Sequence, residues 1–453
     1  MTIDEDAFVV QTRYPHRSGR LVDWDADVRR AVVLVRSPMR ALPALFDELW
    51  ALAGKKLSDD VELRSLDPFY QIRFDDGDVF HYSGDPDKMR AEVRRISPGD
   101  AAGYERFMAE ADHCYRLGFE ALGAKAFDTV GDLLKASPAI FRMRGWRSLH
   151  AMVASHLKHP KLRMAMSLQS LLIGGNPFSV TCIYSLINAL ERLYGVHWAV
   201  GGTGQLIAGL VDLLEGQGGV LRCNAEVRRI EVTGGRASGV TLASGERIDA
   251  DIVISNADTA WTYRHLVESE HRHHWTDRRI ERGRYSMSLF VWYFGTRRTY
   301  PDVPHHMMLL GPRYRELLTD IFKNHHLAED FSLYLHRPTA SDPSMAPPGH
   351  DTFYVLAPVP HLDSGTDWSV RAAPYRDAVA RVLENTHSLR RGNVANRLAT
   401  YGVRGITRSP STLSRMVRPF HCVFTSSQRK VNTSPGRAPV SSSVCRYAEI
   451  TGF

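Results

Sequence analysis

No run of about 18 apolar residues occurs anywhere in this 453-residue chain, so no segment is suited to crossing a bilayer as a helix. The opening residues after Met1, "TIDEDAF", are acidic and lack the basic-then-apolar layout of a secretory signal. Cysteine is scarce: Cys114, Cys182, Cys223, Cys422 and Cys445 are odd in number, far apart and contain no C-x-x-C pair. That excludes a disulfide framework and a zinc ribbon, and it fits a reducing compartment with incidental thiols. The histidine groups His271, His273 and His274, His305 and His306, and His325 and His326 have no second ligand pair at helical or strand spacing. They are therefore expected to be plain surface histidines, with no metal bound. The net charge of +7 favours an anionic partner, whether membrane surface, nucleotide or nucleic acid. With no helical Lys/Arg stripe and no RNA-binding signature, nucleic acid is set aside. The expected location is cytoplasmic and peripheral to a membrane.

A glycine-rich phosphate turn is also missing. A dinucleotide-binding turn needs G-x-G-x-x-G directly after a buried strand, so that backbone approaches the pyrophosphate and a helix N-terminus holds it. The nearest candidate is "VGGTGQLIAGL", Val200 to Leu210, which follows the weak strand "GVHWAV". Ile207 stands where the third glycine should be, and the Lys-Ser/Thr ending of a Walker loop is absent. The stretch reads as a tight turn into a helix, not as a nucleotide site.

What is present alternates between helical and strand patterns, which makes the class α/β with a mixed sheet. Residues 1–40 look irregular; "VRRAVVLVRSPMR" has neither period. In 41–94, "ALPALFDELWALAG" predicts a helix stopping at Gly54, and "PFYQIRF", "DDGD" and "VFHY" predict a hairpin over Pro68 to Tyr82. Residues 95–195 are mainly helical, with breaks at Pro138, Pro160 and "GGNPF". The apolar residues there, Phe119, Phe127, Phe141, Trp146 and Leu149, suit either a helical core or a cover over an apolar substrate. In 196–265, "GQLIAGLVDLLEGQGG" is a helix, then short strands lead to the buried strand "ADIVIS" and "NAD". In such sheets a ligand lies beyond the carboxyl ends of strands, here near Ser255, Asn256 and Asp258. In 266–398, "SMSLFVWYFG", "FSLYLHRP" and "TFYVLAPVP" are β-rich.

From Ala41 to about Leu398 the chain resembles bacterial phytoene desaturases, the FAD-dependent carotenoid dehydrogenases. The stretches that carry the resemblance are "ALPALFDELWALAGKKL", "LLIGGNPFSVTCIYSLINALERLYG", "GGTGQLIAGLVDLLEGQGG", "GPRYRELLTDIF", "LAEDFSLYLHRP" and "YVLAPVPHL", in family order. The resemblance implies a two-part FAD-binding, Rossmann-like fold of the flavin amine oxidase type, incomplete here. It adds a mixed-sheet substrate domain and a helical membrane-facing region. It implies FAD as cofactor, a carotene as substrate and a membrane surface as partner. Hydride loss from a hydrocarbon needs such a cofactor, because no side chain accepts a hydride. On the same basis Val227 of "NAEVRRI" would meet the FAD adenine through its backbone, or else be an ordinary inward-facing strand valine. Asn176, Phe178 and Tyr184 would lie near the substrate. Asp132 and Lys135 of "GDLLKA" could handle a proton, or form a solvated i,i+3 pair.

The chain departs from the family at both ends. On the resemblance, Gly19 and Arg20 of "SGR" would be what remains of a glycine-glycine-arginine flavin motif, and no dinucleotide motif accompanies them. Residues 399–453, ending "SPGRAPVSSSVCRYAEITGF", are polar and aperiodic where relatives have a second flavin-contacting segment. "PSTLSRMVRPFHC" can be encoded so that reading one base earlier yields a leucine-asparagine pair and then a histidine-glycine-serine run, as in the family. The expectation is a frameshift shortly before residue 400, with a disordered tail after it. Val28, Arg29 and Arg30 can similarly be re-read one base later. Two outcomes are open: a phytoene desaturase, or an inactive remnant that cannot bind FAD.

Overall fold

The structure, a computed structural model, describes residues 31–34, 43–122, 130–283, 285–387, 394–396 and 402–404. Its strands in chain order are β1 (Ala31–Leu34), β2 (Leu63–Ser65), β3 (Tyr70–Arg73), β4 (Val79–Tyr82), β5 (His197–Ala199), β6 (Val227–Thr233), β7 (Arg236–Leu242), β8 (Arg247–Asp249) and β9 (Ile252–Ser255). They continue as β10 (Ser288–Thr296), β11 (His306–Leu309), β12 (Leu333–His336), β13 (Asp351–Val359), β14 (Val394–Asn396) and β15 (Gly402–Arg404). The α/β class and the mixed sheet stand as expected.

The main sheet runs β14-β10-β13-β12-β11-β3-β4, with β15 also on β10. Its pairs are antiparallel except β3 with β11, which is parallel. β10 and β13 form its spine through a ladder from Ser288–Val359 to Thr296–Asp351. Both strands are nearly continuously apolar because both of their faces are covered. Phe290, Trp292, Phe294, Phe353 and Val355 pack toward Trp368, Val379 and Leu383 of the helix Trp368–His387. Val291, Tyr354 and Leu356 face the other way, onto Phe107, Leu149, Met152, Leu162 and Met166 of the helical segment. The apolar helical stripes are thus partly core, as Leu149 shows, whereas Phe141 and Trp146 stay exposed. Phe127 lies outside the described residues.

A second unit holds the meander β6-β7-β8 and the parallel pair β1-β9. Here the expectation of an irregular 1–40 is corrected at residues 31–34. The β-branched run "AVVL" pairs in parallel register with "IVIS", Ala31 opposite Ile252. Flanking arginines hide that four-residue period in the sequence, and the partner strand is remote. Two further differences concern breaks and ends. Pro138 lies inside the helix Val130–Arg142, which continues through it. Gly402–Arg404 lies antiparallel on β10, so the sheet extends past residue 398. The remainder of 399–453 lies outside the described residues. No helix among the described residues is long and apolar enough to cross a membrane.

The hairpin forms where the sequence places it, and Lys161 of the helix Pro160–Ser167 ties its turn to the helical segment. The Lys161 ammonium lies 2.6 Å from Asp76 and 2.9 Å from Asp78. Its hydrogen bond is the main reason the Asp78 carboxyl sits at about 2, below its ordinary 3.8. A carboxyl depressed in the fold stabilises it above the unfolded value, and that contribution is lost as pH falls through the folded value. Lys161→Met is therefore expected to flatten the loss of stability between about pH 4 and pH 2. It should lower stability at neutral pH by less than about 1 kcal/mol. Urea midpoints across that pH range check both effects.

Candidate functional site: an aromatic row across the mixed sheet

Side chains alternate along a strand, so register decides which residues line up across a sheet face. On the face toward the helical segment, Tyr293 of β10 stands opposite Tyr354 of β13, Tyr354 opposite His336 of β12, and His336 opposite His306 of β11. The edge hairpin continues the line with Tyr70 opposite Tyr82. Successive ring centres are 5.5 Å, 4.5 Å, 5.0 Å, 6.5 Å and 5.1 Å apart from Tyr293 to Tyr82. All but Tyr293 are buried. The helix Leu186–Tyr194 supplies acceptors for the phenols. The Tyr82 hydroxyl donates to Asn188 Oδ1 at 3.0 Å, and the Tyr70 hydroxyl donates to Glu191. Burial pushes the Tyr82 phenol far above its ordinary value, so it serves as a neutral donor.

At the middle of the row the histidines cluster. His305, just before β11, His306 and His336 have ring centres 4.5 Å, 4.7 Å and 5.0 Å apart. The Tyr334 hydroxyl lies 2.6 Å from His306 Nδ1, and Ser341 Oγ lies 2.8 Å from His305 Nδ1. Trp198 of β5 packs edge-on against His305, with centres 4.9 Å apart. His305 and His306 are only 5% and 8% exposed, which corrects the expectation of surface histidines there. Sequence spacing fails because the third member is across the sheet on β12. The available signal is a His-His pair opening one apolar strand and a histidine closing another, as in "SLYLH". Of the other histidines named, His273, His274 and His326 are exposed, whereas His271 and His325 are half-buried.

The structure scatters the residues singled out from sequence. Phe178 is half-buried against the core that includes this face, and Arg315 lies over its ring at 4.3 Å. Asn176 is half-buried and its Oδ1 accepts from the Phe178 amide at 2.9 Å, shaping the "GGNPF" turn. Tyr184 is half-buried in the turn Cys182–Ser185. Asp132 and Lys135 lie 3.9 Å apart on the helix Val130–Arg142, with the lysine 84% exposed, which is the geometry of a solvated pair. Val227 begins β6 and is half-buried beside Leu242. Ser255 Oγ lies 2.9 Å from Thr262 Oγ1, Asn256 is exposed, and the Asp258 carboxylate caps a helical turn by accepting from the Trp261 amide. Gly19 and Arg20 lie outside the described residues.

The glycine turn before the helix Thr203–Gly216 is claimed by the chain itself. Gly201 and Gly202 have φ of +81° and +89°, and the Gly201 amide donates to Asp342 Oδ2 at 2.6 Å. Trp198 Nε1 donates to the same oxygen at 3.3 Å. Burial would raise the Asp342 carboxyl, but hydrogen bonds from Ser344, Gly201 and Trp198 outweigh it and hold it below the ordinary range. The turn binds a carboxylate of this protein, as expected of a stretch that is not a phosphate loop.

This fold and site define an α/β protein with a helix-covered, aromatic-faced mixed sheet beside a small parallel-pair unit. A solved Pyrococcus furiosus structure has a similar fold, with TM-score 0.50 and 13% identity, covering 80% of this chain and 72% of that one. No family model matches the chain. Among curated proteins it is 46% identical over 350 residues to the neurosporene-forming phytoene desaturase of Cereibacter sphaeroides, covering 76% of this chain and 68% of that protein. It is 47% identical over 343 residues to the lycopene-forming phytoene desaturase of a Paracoccus species, with 76% and 68% covered. It is 41% identical over 361 residues to the lycopene-forming enzyme of Pantoea ananas, with 79% and 73% covered. The chain belongs to the bacterial phytoene desaturase family.

Asp342 supports a direct test of how this site is assembled. Asp342→Ala leaves the buried Trp198 indole N–H without its acceptor, at a cost of about 1–3 kcal/mol, while the exposed Gly201 amide turns to solvent. A fall in the denaturant midpoint of that size, with normal secondary structure, is the expected outcome.

Proposed function

We propose that this chain acts in carotenoid biosynthesis as a phytoene desaturase, dehydrogenating phytoene to more unsaturated carotenes with FAD. The observation that carries this reading is the 46% identity over 350 residues with a neurosporene-forming desaturase. The aromatic row supports it physically. A polyene presents only apolar surface, and the row puts a layer of buried rings, with the Tyr70 and Tyr82 hydroxyls satisfied, between the sheet and its helical cover. In this reading Phe178 and Tyr184 contribute further apolar surface, and Asn176 holds the turn that presents Phe178.

The reaction removes a hydride and a proton from adjacent carbons, which requires a bound acceptor such as a flavin. The described residues do not build the pyrophosphate cradle of the two-part fold. After β1 come Val35, Arg36, Ser37 and Pro38, with no glycine before Gly54 and no N–H on the proline. After β9 the Ser255 and Asp258 side chains are engaged within the chain. No flavin step is assigned to these residues. The same mismatch favours a second reading: a frameshifted remnant that keeps the substrate fold without holding FAD.

Full-length protein incubated with phytoene, added FAD and anionic vesicles separates the two. More unsaturated carotenes, together with flavin absorbance on the purified protein, support the desaturase. A colourless protein without turnover supports the remnant, and resequencing the locus then shows whether the frame changes near residue 400.

Membrane attachment belongs to the same proposal. Leu134, Phe141 and Trp146 are 67%, 72% and 63% exposed, Phe141 and Trp146 rings pack 4.8 Å apart, and Arg142 and Arg144 beside them are exposed. Apolar rings flanked by arginines suit the headgroup boundary of an anionic membrane. The double variant Phe141→Ser with Trp146→Ser is expected to weaken co-sedimentation with anionic vesicles by at least about tenfold. Unchanged binding rejects this surface.

A further inference from the structure

The histidine cluster has a geometry that neither the sequence pattern nor the desaturase reading accounts for. His305, His306 and His336 are buried, and one potential ligand atom from each lies within 4.8 Å of the others. Three imidazoles on one tetrahedral ion, with metal–nitrogen bonds of about 2.0–2.1 Å, place their nitrogens about 3.3 Å apart and their ring centres about 5 Å apart. Here His306 Nδ1 and His336 Nδ1 are 3.2 Å apart, and the ring centres form a triangle of 4.5 Å, 4.7 Å and 5.0 Å. The Tyr334 hydroxyl is hydrogen-bonded to His306 Nδ1 at 2.6 Å and lies 3.4 Å from His336 Nδ1; it would swing away from that nitrogen to act as a fourth, oxygen donor.

We propose that His305, His306 and His336, with Tyr334, form a binding site for one divalent transition-metal ion of the zinc class. Neutral imidazole is the preferred ligand for such ions, and a nitrogen-rich set with one oxygen favours them over calcium or magnesium. The surroundings supply the orienting contacts that such ligands need. A His305 Nδ1–H donated to Ser341 Oγ at 2.8 Å leaves Nε2 with its lone pair. Tyr354 stacks on His336 at 4.5 Å, and Trp198 covers both His305 and His336, at 4.9 Å and 5.4 Å. The two Nδ1 atoms 3.2 Å apart can share one proton in a hydrogen bond, and an ion between them would use both lone pairs instead. The ion would join the loop before β11 to β12 across the sheet, at the centre of the aromatic row. The site draws on none of the flavin elements, so it stands or falls apart from the desaturase reading.

Cobalt(II) is the probe for the test, because its visible bands report four-coordinate nitrogen and oxygen ligation. Full-length protein, freed of metal by chelation, is expected to develop these bands with one equivalent of cobalt and to lose them to competing zinc. His306→Phe and His336→Phe should abolish the bands. His273→Asn and His326→Asn, in exposed histidine groups, should leave them unchanged. One equivalent of zinc should raise the melting temperature of the wild type and of neither strand variant. If the strand variants fail to fold, X-ray absorption of the zinc-loaded wild type decides by its scattering shell. A shell of three imidazoles supports the site, and one or two reject it. Absence of the bands in the wild type, or bands that survive both strand variants or vanish in His273→Asn, overturns the proposal.

Discussion

His306 faces His336 only because β11 and β12 pair antiparallel in one particular register. A slip of one residue would turn His306 and Met308 to the opposite face and bring Met307 and Leu309 inward. The apolar pattern forbids that slip, since both faces are already packed: Met307, Leu309, Leu333 and Leu335 against one layer, Met308 and Tyr334 against the other. The row from Tyr293 to Tyr82 is a consequence of this double burial. The parallel β3–β11 contact extends the row to the edge hairpin, with Met307 opposite Gln71 and Ile72 opposite Met308.

Around this sheet, buried carboxylates help to hold the loops. Asp351 accepts from Arg337 at 3.0 Å, from the Tyr300 amide at 2.7 Å and from Thr339 at 2.5 Å. Asp342, a few residues earlier, holds the glycine turn and Trp198. A buried carboxylate is tolerable only when its oxygens are filled this way. The segment from Arg337 to Asp351 therefore acts as a clasp. It fixes Trp198 over the histidines and fixes Ser341 beside His305.

The two halves of the molecule differ in what they can do. The mixed sheet and its helical cover form a continuous core with a polar-tipped aromatic layer. In the β6–β9 unit Thr241 is bonded to Glu231 and Ser255 to Thr262, and Asp258 serves a helical turn. Backbone amides that hold a large charged cofactor are commonly left open by glycine, and the sequence from Val35 to Ala53 contains none.

Much was legible from residue order alone. The hairpin at 68–82, the helix after the glycine turn, the three β-rich segments and the α/β class follow from local periodicity and turn chemistry, which short windows contain. The family followed from long matching stretches, and the reading of Val200 to Leu210 as a tight turn into a helix followed from Ile207 and the missing lysine. Pairing between distant strands was not legible. β1 is a four-residue run between arginines, and its partner is a strand more than two hundred positions later. The histidine cluster joins neighbours in sequence, His305 and His306, to a residue brought alongside by the β11–β12 register. Composition and local pattern determined many of the strands and helices, though not β1 or the helix that continues through Pro138. Tertiary structure alone decided which side chains meet, because strand register is set by packing on both faces of the sheet at once.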